Sequence, residues 1–104
     1  MDAPKNSPWG RVQQSEKLAE GIFFVFTAGH GGIVLSPARE RKVAHLKEHN
    51  FLKSARYWEE DCDWAVPFVV FQEDIKPGMP ADQFKTTLEA AKQTIAAYHK
   101  GMVI

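Results

Sequence analysis

The stretch Ile22-Phe23-Phe24-Val25-Phe26-Thr27 does most to limit what this chain can fold into. In an extended strand, successive side chains point to opposite faces. Ile22, Phe24 and Phe26 then share one face, while Phe23 and Val25 share the other. Neither face is left for water. β-Branched and aromatic residues suit a pleated backbone, and a strand apolar on both sides belongs inside a sheet that is covered above and below. The sequence predicts that helices supply this cover.

Turn residues around the stretch predict three antiparallel strands, over 9–17, 21–28 and 32–36, with Gly21 in the first turn. Ser36-Pro37 reads as the N-cap and first residue of a helix over 37–50, with Val43 and Leu46 inward and Asn50 as its stop. In "WEEDCDWAVPFVVF", Trp58, Cys62, Ala65 and Val69 repeat at helical spacing, but Pro67 opposes a regular helix. A short or kinked helix is expected there, with a buried strand over 66–71 as the alternative. "KPGMP" breaks the chain. Phe84, Leu88, Ala91, Ile95 and Tyr98 then form one apolar stripe on a final helix over 81–99. The expected fold is α+β, a small three-stranded antiparallel sheet packed against two or three helices. Residues 1–8 read as a flexible arm and 9–104 as a single domain.

A chain of 104 residues can bury one modest core. Thirteen basic and thirteen acidic residues cancel, which excludes nucleic-acid binding driven by bulk charge. Such contact would rest on a local set, Arg39, Arg41, Lys42, Lys47, Lys53 and Arg56, and would weaken steeply with salt. No apolar run is long enough to span a bilayer, and no signal-peptide pattern opens the chain. Cys62, the single cysteine, cannot form an internal disulfide and fits a reducing compartment. A cytoplasmic protein without membrane contact, monomeric or homodimeric, is expected.

Three motifs bear on chemistry. "HLKEH", His45 to His49, matches the H-x-x-E-H pattern, in which two histidines one helical turn apart hold zinc. Only loosely placed acids such as Glu59, Glu60 or Glu73 remain to supply the third ligand, so a solvated basic helix is the simpler reading. In "EEDCDW", Cys62 is flanked by Glu59, Glu60, Asp61 and Asp63, which disfavour a thiolate unless a cation such as His30 faces it. The simpler reading is a small buried cysteine with its acids in water. In "TAGHGG", the glycines permit positive φ and a backbone anion nest beside His30, although no P-loop or dinucleotide pattern is present. The simpler reading is a hairpin loop. No motif implies a cofactor.

Taken together, "SPWGRVQ", "GIFFVFTAGHGGIVLSP" and "YWEEDCDWAVPFVVF" resemble a family of short domains of unknown function from bacteria, their phages and plasmids. The likeness spans about residues 9–71 and rests on PWG, TAGHGG and EEDCDWA words in one order. It implies no reaction. It implies an accessory protein of a phage or other mobile element, and it nominates Thr27, Gly29, His30, Gly31 and Gly32 with Glu59, Glu60, Asp61, Cys62, Asp63 and Trp64 as the residues that matter. A loop docked on the acidic run through a His30–carboxylate contact is the expected arrangement. The expected function is binding of a host protein, including inhibition of a host defence system in the manner of anti-CRISPR proteins. The enzymatic alternative is a small hydrolase or transferase with Cys62 as nucleophile, His30 as base and Asp63 as orienter.

Overall fold

The computed structural model describes residues 1–102 and has both helices and antiparallel sheet. A two-stranded hairpin, β1 (Asn6–Ser7) and β2 (Gly10–Arg11), precedes a four-stranded antiparallel sheet. That sheet runs β3 (Gln14–Ala19), β4 (Ile22–Phe26), β5 (Gly31–Leu35) and β6 (Tyr57–Glu59), with spatial order equal to chain order. The helices are α1 (Pro37–Val43), α2 (Ala65–Val70), α3 (Gln72–Ile75) and α4 (Ala81–Tyr98).

The expectation of three strands is therefore corrected on two counts. The first expected strand, from residue 9, is split, because Gly10 at φ 121° closes the small hairpin before the chain enters β3. The fourth strand, β6, pairs Tyr57, Trp58 and Glu59 with Val34, Ile33 and Gly32. Trp58 is fully buried, and its indole N–H donates to the Ala55 carbonyl at 2.9 Å. Burial of an aromatic body with a satisfied N–H fixes the strand in place.

β4 is central, and Val25 is fully buried on it. Its two faces are covered differently from expectation. Ile22, Ile33, Leu35 and Trp58 join Val43, Val66, Phe68, Ile75 and Phe84 in the main core beneath the helices. The opposite face buries Phe23, Val25 and Val34 under Trp9, Val12 and Tyr57. Helices cover only one side. The chain around the N-terminal hairpin covers the other.

Ser36 caps α1 by accepting from the Arg39 N–H, with Pro37 as the first helical residue. The expected helix over 37–50 stays α-helical only to Val43, then tightens into a 3₁₀ segment over Ala44–His49. Asn50 ends it. Its buried amide donates to the carbonyls of Ser54 and Tyr57 and accepts from the Leu52 N–H, which shapes the loop leading into β6. Pro67 lies in the first turn of α2, where it forfeits no helical hydrogen bond, so the helical reading of this segment holds over Ala65–Val70. On α4, Phe84 and Ala91 are buried as the stripe requires, but Tyr98 is exposed and His99 takes the inward position. No helix among the described residues is long and apolar enough to cross a membrane.

Candidate functional site

An open cleft of about 420 Å³ forms where the β4–β5 turn, the loop after Asn50 and the acidic turn after β6 converge. Trp9, Phe51 and Leu52 give it apolar walls, while His30, Glu59, Asp61, Cys62 and Asp63 supply polar groups. Phe51 is 87% exposed and stands with exposed Leu52 as an apolar patch on the cleft.

The turn is set by Thr27. Its backbone N–H donates to the His30 carbonyl at 2.8 Å, and its hydroxyl lies 2.7 Å from the same oxygen. Gly31 and Gly32 serve close approach, and the anion-nest expectation does not survive, since Gly29, Gly31 and Gly32 all lack positive φ. A β-carbon on Gly31 would stand 2.4 Å from the Val25 carbonyl oxygen. One on Gly32 would stand 2.3 Å from the Trp58 carbonyl oxygen and 2.6 Å from the Trp9 ring. Gly29 has open space around it.

The loop meets the acidic run through backbone and side chain. The Glu60 N–H donates to the Gly31 carbonyl at 2.9 Å, and His30 Nδ1 lies 3.8 Å from Glu59 Oε1. That carboxylate oxygen is buried and has no hydrogen-bond partner among the described residues. Glu59 Oε2 accepts from the Asp61 N–H. Burial, the largest influence, pushes the Glu59 carboxyl above the usual carboxylate range.

Cys62 faces a different imidazole from the one the sequence suggested. His30 and Cys62 both line the cleft, but the histidine grouped with Cys62 and Asp63 is His99. His99 Nε2 lies 3.4 Å from Asp63 Oδ1 and 3.2 Å from the Cys62 carbonyl oxygen. Cys62 Sγ lies 3.6 Å from the same Asp63 Oδ1, and Asp63 Oδ2 accepts from the Phe51 N–H at 3.0 Å. Burial first, and then the neighbouring Asp63 carboxylate, push the Cys62 thiol up to about 11. At neutral pH the sulfur is a thiol, a poor nucleophile. His99 Nε2 is shared by the Asp63 carboxylate and the Cys62 backbone carbonyl, so neither contact aims the ring at the thiol as a base.

Other nominated residues lie elsewhere. Trp64 packs edge-to-face on Phe68 at 5.7 Å, in a groove with Leu18, Phe24, Phe26 and Met79 on the helical side of the sheet. His45 and His49 fall on the 3₁₀ segment, where residues four apart are turned by roughly 120°, so they do not share the face that an α-helix would give them. His49 instead packs edge-on to His99, ring centroids 6.4 Å apart. Among the basic set, Arg39 pairs with Asp74, donates to the Glu20 carbonyl and stacks on Phe71. Arg56 pairs with Glu40, and Lys53 donates to the Glu48 carbonyl. Half of the basic set is thus engaged within the chain.

Sequence reasoning passed over His99 and Phe51. His99 was legible in principle, because it continues the α4 stripe four residues beyond Ile95. Phe51 carried no sequence signal, since exposure depends on the loop that Asn50 builds.

No curated protein and no solved structure matches the chain. A family profile does match, over residues 2–102, which is nearly the whole chain. The chain belongs to the family described as "Domain of unknown function (DUF7007)".

Proposed function

We propose that this chain is a binding protein whose working surface is the cleft, and that its ligand is a partner-protein segment carrying a cationic side chain beside an apolar one. One observation carries the reading: an exposed Phe51 lines the same concavity as Glu59, whose Oε1 has no hydrogen bond among the described residues and only His30 at 3.8 Å beside it. An apolar group placed against Phe51, Leu52 and Trp9 removes their surface from water. A guanidinium or ammonium group gives Glu59 the donor it lacks, and charge-assisted hydrogen bonds are the strong ones. Aromatic anchors beside desolvated polar groups are where binding energy concentrates.

Resemblance of the sequence words to phage- and plasmid-borne domains supports a setting: an accessory protein of a mobile element acting on a host protein. Inhibition of a host defence system is the specific form of that proposal. No nucleic acid is part of it, and the engagement of Arg39, Lys53 and Arg56 within the chain supports leaving it out.

The test is capture from a bacterial host lysate on tagged wild-type chain, beside Phe51→Ala and Glu59→Gln chains checked for folding. The expected result is a stoichiometric partner whose affinity falls about 30-fold with Phe51→Ala, the scale of a hot-spot loss, and about tenfold with Glu59→Gln. No stoichiometric partner, or one held equally by both variants, overturns the proposal.

A further inference from the structure

We propose that Cys62, Asp63 and His99 form a binding site for a zinc-like divalent transition metal, with its open coordination position at the cleft. The inference is independent of the partner-binding reading above. It rests on convergence. Each of the three residues offers a donor atom within 4.8 Å of the other two, and they come from the acidic turn and the end of α4. A sulfur, an imidazole nitrogen and a carboxylate oxygen are the donor types zinc takes.

The spacing also fits. With zinc bonds of about 2.0 Å to oxygen and nitrogen and 2.3 Å to sulfur, tetrahedral ligand atoms stand roughly 3.3 Å apart for N and O, and roughly 3.5 Å apart for S and O. His99 Nε2 and Asp63 Oδ1 are 3.4 Å apart, and Cys62 Sγ and Asp63 Oδ1 are 3.6 Å apart. The third separation, between Cys62 Sγ and the imidazole nitrogen, is within 4.8 Å.

The supporting contacts are those a ligand set needs. Asp63 Oδ2 is held by the Phe51 N–H, which leaves Oδ1 to face the other donors. The side chains of His99 and Asp63 are only 4% and 3% exposed, so packing fixes both. Outer hydrogen bonds and packing of this kind orient metal ligands. Cys62 and Asp63 line the cleft, so three protein ligands would leave the fourth position open to water or to a donor from a bound partner.

Binding rearranges two protons. The Cys62 S–H bond breaks, the proton goes to solvent, and the thiolate bonds the metal. His99 binds through an Nε2 that carries no proton, so a proton held there between the Cys62 carbonyl and Asp63 oxygens moves to Nδ1. Affinity therefore rises with pH.

Cobalt(II) titration of the full chain reads the site directly. The expected result is a thiolate-to-cobalt charge-transfer band that saturates at one equivalent and is displaced by zinc. Cys62→Ser abolishes it. His99→Gln lowers the affinity by more than the roughly 10–100-fold that outer-shell changes cause, while His45→Gln leaves it unchanged. Zinc also raises the melting temperature of the wild-type chain, and a chelator reverses the rise. Absence of the charge-transfer band from the wild-type chain overturns the proposal, whatever the variants do. So does a band of unchanged affinity in folded His99→Gln or Asp63→Asn chain.

Discussion

Gly32 lies where the central sheet, Trp58 and Trp9 meet with no room for a β-carbon. Gly32→Ala should cost about 1–3 kcal/mol, the range for overpacking a tight site, read from the urea midpoint. Gly29→Ala, three residues away in open space, should stay within about 0.5 kcal/mol. Glu59 makes a second residue-scale prediction. Its carboxyl titrates above the unfolded value, so the folded chain holds a proton over a window in which the unfolded chain has lost it. Stability then falls as pH rises through that window. Glu59→Gln removes this cost. The variant should be the more stable chain at neutral pH, with the gap closing as pH falls below the ordinary carboxylate range, read from urea midpoints across pH. Cys62, with its thiol raised to about 11, should react with iodoacetamide at pH 7.5 many times more slowly than a free thiol, and at the ordinary rate once the chain is unfolded in urea.

At the scale of elements, the Ser36 cap of α1 is isolated enough to test. Ser36→Ala should lower stability by about 1 kcal/mol, since the Arg39 N–H loses its acceptor, and a shift in denaturant midpoint measures it. Local signals made α1 and α4 legible: a capping serine, a following proline and an apolar stripe. β4 was legible because both of its faces are apolar. β6 was not. Its three residues are too few to show a period, and Trp58, Cys62, Ala65 and Val69 mimic a helix when counted along the chain. What makes Tyr57–Glu59 a strand is its pairing with Gly32–Val34, a contact across the fold. The same limit explains the site. Loop and acidic run were nominated from their words, and the structure brings their backbones together through Glu60 and Gly31. Which imidazole faces Cys62 depends on how α4 docks, so local reading chose His30 and the fold presents His99.

At the scale of the molecule, the sheet separates a large core under the helices from a small one under Trp9. The cleft shares Trp9 with the small side. Removing Trp9 should therefore loosen the binding surface before it loosens the helices. In Trp9→Ala chain, amide exchange should quicken in β1, β2 and β6, while amides around Phe84 and Ala91 on α4 keep their protection. Equal acceleration everywhere would show one undivided cooperative unit instead. The two borders of the sheet are also unlike its centre. β3 carries exposed Gln14, Ser15, Glu16 and Lys17, and charge along an outer strand discourages pairing with another chain. β6 is only three residues long, and the Asn50 amide occupies its Tyr57 carbonyl. The short border offers no long ladder of free amides, and the long one is guarded by charge. Growth of the sheet by a visiting strand is disfavoured at both borders, by charge on one and by brevity on the other.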